Sequence, residues 1–211
     1  MNFNEMLSGM KPKTPKKIAV AAAEVPAVLL ALSRGVEFGF CEPILCGDVD
    51  KIRENADAQS VDISKFEIIN TSDPIESANV AVGLVRDGQA DILMKGLIKT
   101  ADLLRAILNR ETGIRGDGIM SHVSILRNLK WDRTFILTDV AMVTYPDLSA
   151  KVQLVKRAVD FAHKFGIPNP LVAPLASVEV GNPQMQATLD AAELTRMNRD
   201  GEIRGCIIDG P

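Results

Sequence analysis

The chain has 211 residues, 46% hydrophobic and 24% charged, with 24 Lys plus Arg set against 27 Asp plus Glu. That composition fits one large or two modest globular domains and excludes a disordered chain. The formal charge of −3 supplies no broad positive field for nucleic acid, and no apolar run approaches the roughly 20 residues that cross a bilayer.

The opening MNFNEMLSGMKPKTPKK has no apolar core after a basic start, so it does not read as a secretory signal and a cytoplasmic location is expected. A short helix is predicted over residues 3–7, then a connector rich in Pro and Lys. Lys11, Lys13, Lys16 and Lys17 form a solvated run leading to a strand over 18–23. Glu24-Val25-Pro26 opens a helix, since proline is tolerated in the first turn, with Val28, Leu29 and Leu32 on its apolar face. A strand over 43–46 closes at Gly47-Asp48, and 49–58 reads as a polar surface helix. A third strand covers 66–69. Asp73-Pro74 opens a helix through Val85, with Ala78, Val82 and Val85 facing inward.

Ile92-Leu93-Met94, bounded by Asp91 and Lys95-Gly96, predicts a buried strand stopping at a turn. Thr100 then precedes Leu103, Leu104, Ile107 and Leu108, an apolar stripe at helical spacing. Strands alternating with helices predict an α/β fold, a parallel sheet covered by helices on both faces. Cys41 and Cys46 lie five apart on one extended run, so they face opposite sides and cannot pair. With Cys206 they read as ordinary buried thiols, and no zinc spacing is present.

The stretch from Ala90 to Arg105 carries the sharpest chemical signal. A strand, a glycine turn and a helix start gather backbone N–H groups and a positive helix end over one spot. Lys95 and Lys99 flank that spot, Arg105 lies about one turn in, and Asp102 offsets part of the field. Such a junction favours a phosphate or carboxylate. The competing reading is a solvated connection in which Thr100 caps the helix and the lysines face water.

Gly113, Gly116 and Gly118 form a flexible loop carrying Arg115 and Asp117; it matches neither the dinucleotide nor the P-loop fingerprint. Residues 121–126 alternate polar and apolar, so one face of that strand meets solvent or a ligand. Trp131-Asp132-Arg133 marks a break, placing domains over 1–132 and 133–211. The strand over 135–137 ends at Thr138-Asp139, a polar strand end of the kind that holds ligands in α/β sheets; helix capping or a structural ion pair is the other reading of Asp139. An amphipathic helix follows over 149–165, with Val152, Val155, Val159 and Ala162 on one face. Leu171 to Leu175 is a strand interrupted by Pro174, hence an edge. A helix from Asn182-Pro183 to about Met197 precedes a last strand, Cys206 to Ile208, apolar as in a strand buried on both faces. Such a strand normally leads into a covering helix, so a longer parent protein is expected beyond Pro211.

Four segments, DILMKGLIKTADLLRAIL, GDGIMSHVSIL, FILTDVAMVTYPDLSAKVQLVKRAV and GCIIDGP, in this order and spacing, resemble the phosphate acetyl/butyryltransferase family, nearer its butyryltransferase branch. The resemblance implies an isocitrate dehydrogenase-like architecture of two α/β domains with a cleft between them, the second domain here incomplete. It implies the reaction acyl-CoA plus phosphate giving acyl phosphate plus CoA, with CoA a substrate rather than a resident cofactor, no metal, and a homo-oligomer. Arg105 corresponds to a family arginine that handles phosphate; a guanidinium offers two parallel donors, which Lys cannot match. By the same resemblance Lys95, Gly96, Lys99 and Thr100 complete the anion site, Ser121 and His122 line the cleft, with a neutral His122 bonded within the sheet as the rival reading, and Thr138 and Asp139 face it from the second domain. The family's general base, an Asp, falls beyond Pro211. His163, mid-helix, is a surface or packing residue. Two rivals remain at this level: a metal- and NAD(P)-dependent decarboxylating dehydrogenase of the same fold, for which Asp139 lacks acidic companions, and a non-catalytic module that binds CoA or acyl phosphate.

Overall fold

The computed structural model describes residues 12–130 and 133–210; the helix predicted over 3–7 and the break at Trp131-Asp132 lie outside them. The chain forms two compact units that divide between Gly116 and Asp117.

The first unit alternates strand and helix. Its elements are β1 (Lys16–Ala21), α1 (Pro26–Glu37), β2 (Cys41–Gly47) and α2 (Val49–Ala58), followed by β3 (Glu67–Asn70), α3 (Pro74–Arg86), β4 (Ile92–Lys95) and α4 (Thr100–Ile107). The four strands form one parallel sheet in the order β3-β2-β1-β4. From β1 the chain steps outward to β2 and β3, then α3 carries it back across to the far side of β1. Strand order therefore reverses between β1 and β4, and in open α/β sheets ligands favour the carboxyl ends at such a point.

The period-two alternation of the strands builds two cores. Ala19, Ala21, Ile44 and Cys46 face Ala78, Ala81 and Val82 of α3 and Leu103 of α4. Val20, Cys41 and Leu45 face Leu29 and Leu32 of α1 and Ile52 of α2. Cys41 and Cys46 thus lie on opposite faces, both buried free thiols. Burying each Leu, Ile or Val contributes about 1.5–3 kcal/mol, so both faces must be covered for the sheet to hold.

Helix starts follow local chemistry. The Asp48 carboxylate accepts from the N–H of Asp50 and Lys51 to cap α2. Asp73 accepts from Ile75 and Glu76 to cap α3, and Glu76 reaches back to the Ser72 N–H at 2.6 Å, closing the turn from both sides. The buried Ser77 hydroxyl accepts from the Ala22 N–H at 2.6 Å and donates to the Cys46 carbonyl at 2.7 Å. One side chain of α3 thereby ties down the ends of both β1 and β2.

The expected buried β4 is corrected: paired only with β1, it is an edge among the described strands, and Ile92 is 44% exposed.

The second unit contains β5 (Ser124–Asn128), β6 (Arg133–Leu137), α5 (Leu148–Lys164), β7 (Leu171–Val172), α6 (Gln186–Arg199) and β8 (Ile207–Ile208). β5 and β6 pair antiparallel, Ser124 opposite Leu137. That departs from the expected run of parallel strands, because the link from Asn128 to Arg133 is far shorter than the dozen or so residues of a parallel crossover. β7 and β8 pair in parallel. Val155 and Val159 of α5, Leu194 of α6, Ile203, Cys206 and Ile208 form this unit's core. Asn198 donates to the carbonyls of Ile203 and Cys206 and accepts from the Ile208 N–H, fastening α6 to β8. β8 is buried on one face only, with Ile208 inside and Ile207 exposed, so the two-faced burial expected from Cys-Ile-Ile does not hold. His163 is exposed and its Nε2 lies 2.8 Å from the Gly205 carbonyl. Among the described residues no helix is long and apolar enough to cross a membrane.

Candidate functional site

The carboxyl ends of β1 and β4 meet closely. The Gly96 N–H donates to the Ala21 carbonyl at 2.8 Å, and the Leu97 N–H to the Ala22 carbonyl at 2.7 Å. A Cβ on residue 96 would stand 2.0 Å from the Ala22 carbonyl oxygen, so only glycine lets the two backbones approach. These two N–H groups are spent on β1. The expectation that the whole turn aims its donors at a ligand is corrected accordingly.

The donors that remain belong to the start of α4. Lys99 is its N-cap, no side chain caps it, and Thr100 is the first helical residue, so Thr100 is not the cap considered from sequence. An uncapped helix start keeps its unpaired N–H groups and positive field for an outside partner. Lys95 and Lys99 are both exposed. The Arg105 side chain is 73% exposed and donates to the Asp102 carboxylate at 2.6 Å. An exposed ion pair of this kind contributes about 0–1 kcal/mol, which leaves the guanidinium free to re-aim.

A cavity of about 880 Å³ opens beside this bend, between the first turns of α3 and the 97–102 segment. Lys99 and Asp102 border it; Lys95, Gly96, Thr100 and Arg105 do not. Its other wall comes from Ile75, Asn79 and Val80 of α3. Sequence reasoning missed these three, because nothing local reveals which helix start will stand beside β4. The available signal was Ile75, an apolar residue outside the inward stripe of its helix.

In the second unit Ser121 and His122 precede β5, and Thr138 and Asp139 follow β6. The β5–β6 pairing brings the two pairs together. The Thr138 hydroxyl donates to the His122 carbonyl at 2.8 Å, and the Asp139 carboxylate accepts from the His122 N–H at 2.6 Å. It also accepts from the N–H groups of Ala141 and Met142 at 2.8 and 2.7 Å, and of Val143 at 3.3 Å. Burial pushes the Asp139 carboxyl up, but these four donors outweigh it and hold the group below the usual carboxylate range. Asp139 is therefore an anion that braces the loop, Oδ1 accepting from three N–H groups and Oδ2 from one. His122 Nδ1 is buried without a hydrogen-bond partner among the described residues, an acceptor or donor with an open valence.

Asp139→Ala orphans the His122 and Met142 donors together, and a loss of about 2 kcal/mol is expected. Urea unfolding followed by circular dichroism measures it, and an unmoved midpoint contradicts the bracing role.

No thiol competes as a nucleophile. Burial, with the Glu67 carboxylate second, pushes Cys46 up to about 12, and burial also raises Cys41 and Cys206. Among the described residues no group of three or more His, Cys, Asp or Glu is arranged to hold a metal.

Residues 74–211 match the phosphate acetyl/butaryl transferase family. The chain belongs to this family. The phosphate acetyl/butaryl transferase match spans α3 onward, hence both the uncapped start of α4 and the Asp139 loop. The chain is 46% identical over 210 residues to the phosphate butyryltransferase of Clostridium acetobutylicum, covering 100% of itself and 70% of that relative. It is 37% identical over 209 residues to the phosphate acetyltransferase of Thermotoga maritima, covering 99% of itself and 71% of the relative. Among solved structures it resembles a branched-chain phosphotransacylase from Enterococcus faecalis V583, with TM-score 0.78 and 27% identity over 93% of this chain and 68% of that one. Neither the dehydrogenase nor the non-catalytic binding module gains support from these transferase relatives.

Proposed function

We propose that this chain moves an acyl group between CoA and inorganic phosphate, as the names of its phosphate butyryl- and acetyltransferase relatives suggest. A phosphate oxygen attacks the thioester carbonyl, the new C–O bond forms, the C–S bond breaks, and CoA leaves as the thiolate. In the reverse direction the thiolate attacks the acyl phosphate and phosphate leaves. Acyl-CoA and phosphate, or acyl phosphate and CoA, are then the substrates, with CoA not retained. A cytoplasmic homo-oligomer fits this reading.

One structural observation carries it: a helix start without a side-chain cap, bearing Lys99 at the rim of a cavity. Phosphate placed there meets free N–H groups and the positive end of α4. Lys99 meets it from the cavity rim; Lys95, Thr100 and Arg105 lie outside the lining, at the same strand-to-helix junction, and in this reading turn toward the phosphate, with Gly96 making the close turn before them. The second unit, taken by itself, has a separate polar loop: His122 Nδ1 is buried with no hydrogen-bond partner among the described residues, Ser121 and Thr138 lie beside it, and Asp139 holds the loop in place.

Phosphate-dependent thiol release from butyryl-CoA tests the reading. In the full-length protein, Arg105→Ala is expected to lose about 1.5 kcal/mol, a charge-assisted hydrogen bond, or roughly tenfold in kcat/KM for phosphate. Unchanged phosphate kinetics would remove Arg105 from the site, and no phosphate-dependent release from the parent would remove the function.

A further inference from the structure

The cavity beside α4 is bordered by three carboxylates already engaged, one cation, one amide and a set of apolar side chains of which Ile75 and Leu97 stay open to water. Three carboxylates border it. Asp73 accepts from the Ile75 and Glu76 N–H groups at 2.7 and 2.9 Å. Glu76 accepts from the Ser72 N–H and hydroxyl, each at 2.6 Å. Asp102 accepts from Arg105 at 2.6 Å. Lys99 is the cation on the rim and makes no ion pair among the described residues. Asn79 adds one exposed amide, and Pro74, Ile75, Val80, Leu97 and Ile98 supply the apolar wall.

Ile75 is 56% exposed and Leu97 65% exposed. Two large aliphatic side chains, brought from different elements to one concavity, leave apolar surface open to water that a ligand would cover. The volume of about 880 Å³ lies within the roughly 300–1,000 Å³ of small-molecule sites. An aliphatic wall with one unpaired cation at its edge suits a ligand with a hydrocarbon tail and an anionic head.

Resting on the transferase reading above, we propose that Ile75, Val80 and Leu97 form the wall that receives the hydrocarbon part of the acyl group and sets which chain lengths are accepted. Lys99 holds the phosphate end of the same ligand. The tail then lies along α3 while the carbonyl stays near the start of α4. Acyl selectivity belongs to side chains that touch no reacting atom.

The test uses the complete gene product and reads a ratio. Thiol release with phosphate is measured for acetyl-, butyryl- and hexanoyl-CoA in the parent, in Ile75→Trp, which narrows the cavity, and in Ile75→Ala, which widens it. Ile75 is exposed, so neither variant disturbs the core. One methylene in a hydrophobic pocket is worth about tenfold or more in kcat/KM. Ile75→Trp is therefore expected to lower the butyryl-to-acetyl ratio by about tenfold, and Ile75→Ala to raise the hexanoyl-to-butyryl ratio. Leu97→Ala, on the opposite side, reads the same second ratio should Ile75→Trp be inactive with every thioester. An unchanged chain-length profile in active variants overturns the acyl wall and leaves the transferase standing. A parent that releases no thiol from any of the three overturns the transferase reading itself.

Discussion

Gly96→Ala is expected to lower stability by about 3–5 kcal/mol. The added methyl would sit 2.0 Å from the Ala22 carbonyl oxygen, 2.7 Å from its carbon and 2.8 Å from the Ala21 carbonyl oxygen. All three are backbone atoms of β1 or its continuation, so no side chain can swing aside. Relief requires β4 to part from β1, and the bonds from the Gly96 and Leu97 N–H groups go with it. Two hydrogen bonds at about 1 kcal/mol each and about 1–3 kcal/mol of overpacking make up the total. Gly116→Ala is the control: a Cβ there meets nothing within 4 Å, and its effect should stay within about 1 kcal/mol. Urea midpoints by circular dichroism measure both. If Gly96→Ala unfolds with the parent, the close approach of β4 to β1 is wrong, and with it the placing of the α4 start.

Lys151→Met is expected to cost about 3 kcal/mol at neutral pH. Asp190 on α6 is buried, its side chain 6% exposed, and Lys151 on α5 reaches it at 2.5 Å with its own side chain 24% exposed. Gln186 donates to the other oxygen at 2.8 Å. Removing one partner of a buried pair strands the other charge, at about 3–5 kcal/mol; the part-exposed lysine favours the lower end.

Burial pushes the Asp190 carboxyl up, but the bond from Lys151, that from Gln186 and the lysine's charge together bring it below its ordinary value. A carboxyl depressed in the folded state stabilises above its unfolded pKa of about 3.9, and the contribution fades as pH falls through the lower folded value. In Lys151→Met burial acts with less opposition, so Asp190 takes up its proton at higher pH and the deficit shrinks in acid. Denaturation at about pH 7 and about pH 3 separates the two conditions. A deficit equally large at both would mean that lost packing, not the stranded charge, sets the cost. Lys151→Met with Asp190→Leu should recover most of the loss.

The first unit's order of elements was legible because its signals are short-range. Asp48 caps the helix immediately after it, Asp73-Pro74 starts the next, and Cys41 and Cys46 divide between the two cores by strand alternation alone. The resemblance carried by DILMKGLIKTADLLRAIL and its companion segments pointed to the family that the 74–211 match establishes. Lys95, Lys99 and Arg105 could be named as an anion site because strand, turn and helix follow one another within a few residues.

Other features depend on partners that the chain brings from far away. Gly96 reads as a generic turn residue until strand order sets it against Ala22. The donors that brace Asp139 are hidden in the sequence until the β5–β6 pairing delivers the His122 N–H to it. Lys151 and Asp190 meet only because α5 and α6 pack together. Ile75 joins Lys99 at one cavity only because α3 crosses the sheet to place β4 on the far side of β1. The sequence by itself determined the order of elements in the first unit, the Asp48 and Asp73 caps and the two faces of β2, since each depends on backbone within a turn or two; the burial of β4 and β8 and the cap of α4 it did not. Tertiary structure alone decided which donors are already spent and which stay open, because strand order and helix packing choose their partners.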